Sequence, residues 1–332
     1  MYPELFKIPY TQLTIKSYGL MMVIGFLVAV FVIRRLSRDI TPDPALITNA
    51  ALYTLIAGVV GSRLFYVIHY FDKFRGDLLS VFAIWQGGLE LLGGVILAII
   101  VVLFYLWRHK LPIRRYLDIL AIGLLLALSF GRIGCFLNGC CFGKPTDKLW
   151  GVRFPYGSFA YRSQVSADLK RNRPEPYLKL PDDFFNTYYN SDPPTKILKS
   201  YDQLTQEQKE MVKYGPYRCL RVHPTQVYSS AVALLCAFLL LLFWRRNRND
   251  SKGGKRFLGK PGSVFSLMFI LYGIARFFLE FLRDDNPFEY GWWAIYKGGT
   301  VSQNISIYMV TLGVVLMVMF QKMKSKVTKS KS

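Results

Sequence analysis

Between Ser129 and Gly143 the chain reads Ser-Phe-Gly-Arg-Ile-Gly-Cys-Phe-Leu-Asn-Gly-Cys-Cys-Phe-Gly, closing a largely apolar run from Leu117 to Leu128. One arginine, one asparagine, three cysteines and four glycines thus fall at or near hydrocarbon depth. Lipid tolerates neither a lone guanidinium nor irregular glycine-rich backbone unless protein or a wet cavity surrounds them. Arg132 is therefore a candidate site residue, and its client is expected to be anionic, because a guanidinium forks onto phosphate or carboxylate.

A second cation lies in Tyr272-Gly-Ile-Ala-Arg-Phe-Phe-Leu-Glu-Phe-Leu-Arg283. Tyr272, Arg276, Glu280 and Arg283 fall at i, i+4, i+8 and i+11 and share one helix face. Two readings follow. Arg276 and Glu280 form an intrahelical pair that neutralises itself, or Arg283 adds surplus positive charge and the stripe faces Arg132 across an anion pocket. Arg63 is a third intramembrane arginine. Gly58 and Gly61 beside it permit close helix approach, so structural and functional roles are both open. Glu90, between Gly87-Gly88 and Gly93-Gly94, is open among base, arginine partner and interfacial acid. His223 precedes Pro224 at the start of an apolar run; it is a candidate base, a phosphate contact or a capping residue. Cys135-x4-Cys140-Cys141 lacks the fourth ligand and second cluster of a zinc site, so no metal is expected there. A disulfide among these and Cys219 is an alternative to small packing residues.

The elements that must position these residues are membrane helices. The 332 residues are 52% hydrophobic and 16% aromatic, with positive mean hydropathy. Apolar runs of about 20 residues, enough to cross a bilayer, occur at roughly 17–37, 46–68, 89–107, 116–136, 226–244, 262–282 and 301–320. A net charge of +21 would suit nucleic acid, but its placement argues otherwise. Arg34, Arg35 and Arg38, then Arg108 to Arg115, then Arg245 to Lys260, then the lysines after Lys322 follow alternate spans. That is the positive-inside pattern, which predicts an extracytoplasmic N-terminus and a cytoplasmic C-terminus. No cleavable signal peptide is evident. The expected fold is an all-α polytopic membrane protein with seven transmembrane helices and a small extracytoplasmic insertion. Residues 1–143 carry helices one to four, 144–222 form a polar cap rich in turn signals, and 223–332 carry helices five to seven with a basic tail. Within the cap, Thr205 to Gly215 predicts a short polar helix with a glycine stop.

These motifs together resemble the prolipoprotein diacylglyceryl transferase family, in a variant with a cysteine-containing signature. The resemblance rests on Tyr18-Gly-Leu20, Gly61-x-Arg63-x-x-Tyr66, Gly87-Gly88 with Gly93-Gly94, and Gly131-Arg-Ile-Gly-Cys-Phe-Leu-Asn-Gly139 with Gly143. It continues through His223-Pro-Thr-Gln-Val-Tyr228, the Tyr272 to Arg283 stripe, and Ser302-Gln-Asn-Ile-Ser306. It implies transfer of the diacylglyceryl group of phosphatidylglycerol to the lipobox cysteine thiol of a prolipoprotein signal peptide, in the bacterial plasma membrane. The family's essential arginines fall on Arg132 and Arg276, the expected catalytic residues. Tyr18, Arg63, Asn138, Gly143, His223, Glu280 and Arg283 complete the expected substrate-binding set. No cofactor is implied. Leu92 stands where the family usually has histidine or tyrosine, Cys135 at its signature asparagine and Cys140 at its usual glutamate. Thiol activation is thus open among His223, Glu90 and positioned cations alone. The alternative from another class is a membrane transporter or channel for an anionic solute. Transporters often carry paired repeats, and no second copy of the 129–143 motif occurs.

Overall fold

A computed structural model describes residues 4–7, 14–41, 43, 45–76, 78–83, 87–188, 195–248 and 258–323. The turn Ser191 to Pro194, the basic residues Lys252, Lys255 and Arg256, and the lysines from Lys324 onward lie outside them. A strand pair, β1 (Glu4–Lys7) and β2 (Thr14–Lys16), leads into α1 (Ser17–Ser37). Then come α2 (Ala45–His69), α3 (Leu91–Arg108) and α4 (Ile113–Asn138). Shorter elements follow: α5 (Phe159–Gln164), β3 (Phe185–Tyr188), β4 (Thr195–Leu198) and α6 (Gln206–Lys213). The chain closes with α7 (Thr225–Arg248), α8 (Ser263–Leu279) and α9 (Val301–Lys322). Seven of these helices are long and apolar enough to cross a membrane. A single 3-10 turn, Glu280–Leu282, extends α8 to 20 residues.

Helix α4 is the centre of the bundle, packing on α1, α7 and α8. Its Ile119, Ala121, Ile122 and Leu125 are buried against Leu240 of α7 and Val264 and Met268 of α8. The outer flanks keep large apolar side chains exposed, among them Phe31, Ile68, Phe104 and Phe278, as a surface facing hydrocarbon should. Helices α2 and α3 pack chiefly on each other. Their contact is backbone to backbone: a Cβ on Gly61 would sit 2.5 Å from the Gly93 carbonyl oxygen. The close approach expected at the Gly58–Gly61 pair is therefore met.

Asp118 sets the register between the centre and its neighbour. Its buried carboxylate accepts from the backbone N–H of Gly262 at 2.7 Å and of Phe265 at 2.9 Å, capping the start of α8 from α4. Arg132 lies fourteen residues beyond Asp118, and Arg276 fourteen beyond Gly262. At 1.5 Å per residue both arginines rise about 21 Å from that shared anchor. The cap therefore brings the two guanidiniums to one depth.

The segment between α4 and α7 folds over one end of the bundle around two small apolar clusters. One holds Phe142, Phe154, Tyr161, Leu178 and Val222; the other holds Phe184, Leu204 and Val212. Helix α6 starts at Thr205, whose hydroxyl and Gln208 form a reciprocal capping box, as its sequence signals. Buried Arg173 meets the Asp284 carboxylate at 2.9 Å, and Arg171 donates to the Arg283 carbonyl at 2.9 Å. These contacts clamp the chain just beyond α8. Burial lifts the Asp284 carboxyl above its ordinary range, against the pull of those two arginines.

Candidate active site

Helix α4 ends by a specific device. Gly139 takes φ +78, its N–H bonds back to Phe136, and the Cys140 N–H reaches the Cys135 carbonyl at 3.2 Å. This is a Schellman turn, which needs a residue at ease in the left-handed region. The turn folds Cys140 and Cys141 back over Cys135, and the three Sγ atoms lie within 4.8 Å of one another. Cys141 itself has φ 59, unusual for a residue with a side chain. The start of α7 holds this loop in place. Thr225 Oγ1 donates to the Cys141 carbonyl at 2.8 Å and Gln226 Nε2 to the Cys140 carbonyl at 2.7 Å.

Immediately beyond, three strands of chain cross. Gly143 N–H donates to the His223 carbonyl at 3.1 Å, Lys144 N–H to the Leu282 carbonyl at 2.8 Å, and Gly143 bridges to Arg283. A Cβ at Gly143 would fall 2.6 Å from the His223 oxygen and 2.8 Å from that of Leu282, so only glycine fits without displacement.

Around this crossing the structure gathers most of the residues singled out in the sequence. Half-buried Arg132 interacts electrostatically with Tyr272, Cys141, Arg283 and Cys135. Arg276 interacts with Arg283, Glu280, Tyr272 and Arg132. The intrahelical pair expected within the stripe forms: Arg276 Nη1 lies 2.5 Å from Glu280 Oε2. Arg276 Nη2 also donates to Ser302 Oγ at 2.9 Å, and fully buried Glu280 accepts from Thr300 Oγ1 at 3.0 Å and from Asn286. Arg283 forks onto Asp285 at 2.8 and 2.6 Å. Burial opposes its charge, but that fork, with Cys141 and Glu280, holds the guanidinium above its ordinary range. Hydrogen bonds from Cys135 and Cys140, then the charges of Arg283 and Arg132, pull the Cys141 thiol down. Three guanidiniums thus face two carboxylates, leaving a surplus positive charge at the rim.

Tyr18 packs against Gly134 of α4 and senses Arg132 and the three thiols. Asn138 Nδ2 approaches Cys140 Sγ at 3.8 Å and lines a cleft of about 280 Å³ between the end of α4 and residues 155–162. His223 contributes its carbonyl to the crossing, while its ring lies 3.5 Å from the Tyr228 hydroxyl. Arg63 is not brought to this cluster. Its guanidinium donates to the carbonyls of Ser80, Val81, Gly87 and Gly88 at 2.7 to 3.0 Å, organising the loop before α3. Glu90 meets His69 at 3.4 Å rather than an arginine. All five cysteines are free thiols. Sequence reasoning missed Asp118, Thr225, Gln226, Thr300 and Asn286. Thr225 and Gln226 sit inside a motif in which only His223 was given a candidate chemical role, and capping acids carry no signal within an apolar run.

The fold and this site define a polytopic helical membrane protein with a cationic centre at one rim of its bundle. The family model for prolipoprotein diacylglyceryl transferase matches residues 3–319, and the chain belongs to that family, so it is a membrane transferase. It is similar to the phosphatidylglycerol–prolipoprotein diacylglyceryl transferase of Clostridium tetani (strain Massachusetts / E88), 28% identical over 318 residues that span 95% of this chain and 96% of that one. The enzyme of the same name from Prochlorococcus marinus (strain MIT 9301) is 25% identical over 319 residues, 91% of this chain and 87% of its own. That of Roseobacter denitrificans (strain ATCC 33942 / OCh 114) is 27% identical over 335 residues, 95% and 94% of the two chains.

Proposed function

We propose that this chain moves the diacylglyceryl group of phosphatidylglycerol onto the lipobox cysteine thiol of a prolipoprotein, forming a thioether and releasing glycerol phosphate. The observation that carries the reading is the meeting of Arg132 and Arg276 with Arg283 around Tyr272, cationic in excess and beside a bilayer. A leaving phosphate is the charge such a centre stabilises. Arg132 and Arg276 grip the phosphodiester and take up the charge that develops on the departing oxygen. Glu280 and Ser302 aim Arg276, and the Arg283–Asp285 pair borders the site. Tyr18 and Asn138 edge it, and Gly143 and His223 support it through the backbone crossing. Arg63 serves the loop before α3. The names of the relatives carry the same lipid and the same class of acceptor.

The N-terminus and residues 144–222 face outward, and the basic ends of α1, α3, α7 and α9 face the cytoplasm, following the distribution of Lys and Arg. Lipid then enters sideways from the bilayer, and the signal peptide arrives under the cap. The experiment is direct. Detergent-purified protein is incubated with phosphatidylglycerol and a lipobox peptide. The peptide mass rises by one diacylglyceryl group with equimolar glycerol phosphate, and a cysteine-to-serine peptide stays unmodified. An unmodified cysteine peptide in the presence of folded protein and lipid overturns the proposal.

A further inference from the structure

Accepting that transfer reading, we infer that Cys135, Cys140 and Cys141 form a three-sulfur zinc site whose fourth position takes the acceptor thiol. The C-x4-C-C spacing alone argues against a metal, because it supplies three ligands and no more. The folded chain changes that judgement. The three Sγ atoms lie within 4.8 Å of one another. Zinc–sulfur bonds of about 2.3 Å in a tetrahedron set sulfurs about 3.8 Å apart, within reach of small rotations. Three protein ligands with one position left over is the pattern of zinc sites that do chemistry, whereas structural sites are closed with four.

The cluster is built rather than incidental. A Schellman turn returns Cys140 to Cys135, a left-handed Cys141 completes the loop, and Gln226 and Thr225 tie down both carbonyls. A non-glycine residue held at positive φ by surrounding bonds commonly marks a functional site. Asn138 Nδ2 points at Cys140 Sγ, as an outer-shell donor to a metal-bound sulfur would. Zinc with three thiolates carries one net negative charge, and Arg132 and Arg283 lie within electrostatic range of Cys141 to balance it.

The chain also needs something to ionise the acceptor at this place. His69 is engaged with Glu90, the His223 ring lies against Tyr228, and His109 caps α3 at the opposite end of the bundle. Glu280 and Asp285 are paired with arginines. A zinc-bound thiol is deprotonated outright, with its proton passing to water. The bound thiolate sulfur attacks the carbon of the diacylglyceryl moiety that bears the phosphate. The S–C bond forms, the C–O bond breaks, and its electron pair leaves on the glycerol phosphate held by Arg132 and Arg276. The neutral thioether is a weak ligand and departs, and water resumes the fourth position. No electron is gained or lost overall.

The test uses the full chain in detergent. Elemental analysis should find close to one zinc per chain, falling roughly tenfold or more in Cys141→Ser. Because that variant can fail for structural reasons, the wild-type protein is also loaded with cobalt(II). Its thiolate-to-cobalt absorption should strengthen when a lipobox peptide is added and stay unchanged with the serine peptide. Absence of metal with three freely titrating thiols overturns the site, and so does an intact mass two hydrogens lighter, which marks a disulfide. Undiminished turnover after chelation to zinc-free protein overturns the metal's role while leaving the transferase intact. Zinc-loaded protein that takes up the peptide thiol but transfers nothing overturns the transferase reading instead.

Discussion

A guanidinium at the rim of a bilayer needs partners that hold it without cancelling it. Arg276 has one carboxylate, Glu280, and one hydroxyl, Ser302, and it shares its surroundings with Arg283 and Arg132. The stripe was legible as far as Glu280, because helical spacing puts Tyr272, Arg276 and Glu280 on one face. Arg283 falls beyond the helix, in extended backbone after the 3-10 turn, and reaches the cluster through its bridge to Gly143. The partners from Thr300, Ser302 and Asn286 were not legible, because which short polar residue reaches a buried carboxylate depends on how a distant loop returns. Arg63 makes the same point in reverse: its type and depth matched Arg132, but its donors go to the carbonyls of residues 80–88. Arg132→Lys and Arg276→Lys should each lower the transfer rate roughly a hundredfold or more, since a point charge lacks the fork. Arg63→Lys should act mainly on stability. Single-turnover rates and thermal unfolding of the three purified variants separate these effects.

At the scale of helices, hydropathy marked all seven spans, matched the first at both ends and missed other ends by at most four residues. The fourth span is longer than its apolar run suggests, Ile113–Asn138 against an expected 116–136, and the fifth runs to Arg248 rather than 244. In both cases polar residues continue the helix past the hydrocarbon: Arg114 and Arg115 in one, Arg245 and Arg246 in the other. The register between α4 and α8 was invisible from sequence, since it depends on the Asp118 carboxylate meeting the backbone of Gly262 and Phe265. Asp118→Ala should remove that cap at a cost of about 1 kcal/mol. If the cap also sets arginine depth, the transfer rate at saturating lipid should fall further than this modest destabilisation explains. Asp118→Asn keeps an acceptor and should recover most of the rate. Rates and melting temperatures for the two variants provide the check.

The whole molecule is a bundle with the basic ends of α1, α3, α7 and α9 on one side and its arginine centre and cap on the other. The number of helices and the charge alternation were readable because bilayer thickness and the insertion bias act on composition, whichever way the helices pack. How the 144–222 segment reaches back to grip residues beyond α8, through Arg171 and Arg173, was not, because those arginines look like any solvated loop charge. A cysteine placed at exposed Thr187 should be labelled in intact cells above the background of the parent chain, and labelling only after permeabilisation would reverse the orientation. The proposed transfer requires two helices from separate parts of the chain, α4 and α8, to deliver Arg132 and Arg276 to the same phosphate. A double-mutant cycle on kcat/KM for phosphatidylglycerol, using Arg132→Lys, Arg276→Lys and the pair, reads this directly. A shared phosphate predicts strong coupling, with the double variant barely worse than either single one and an interaction energy of about 1 kcal/mol or more. Independent, additive losses would contradict it.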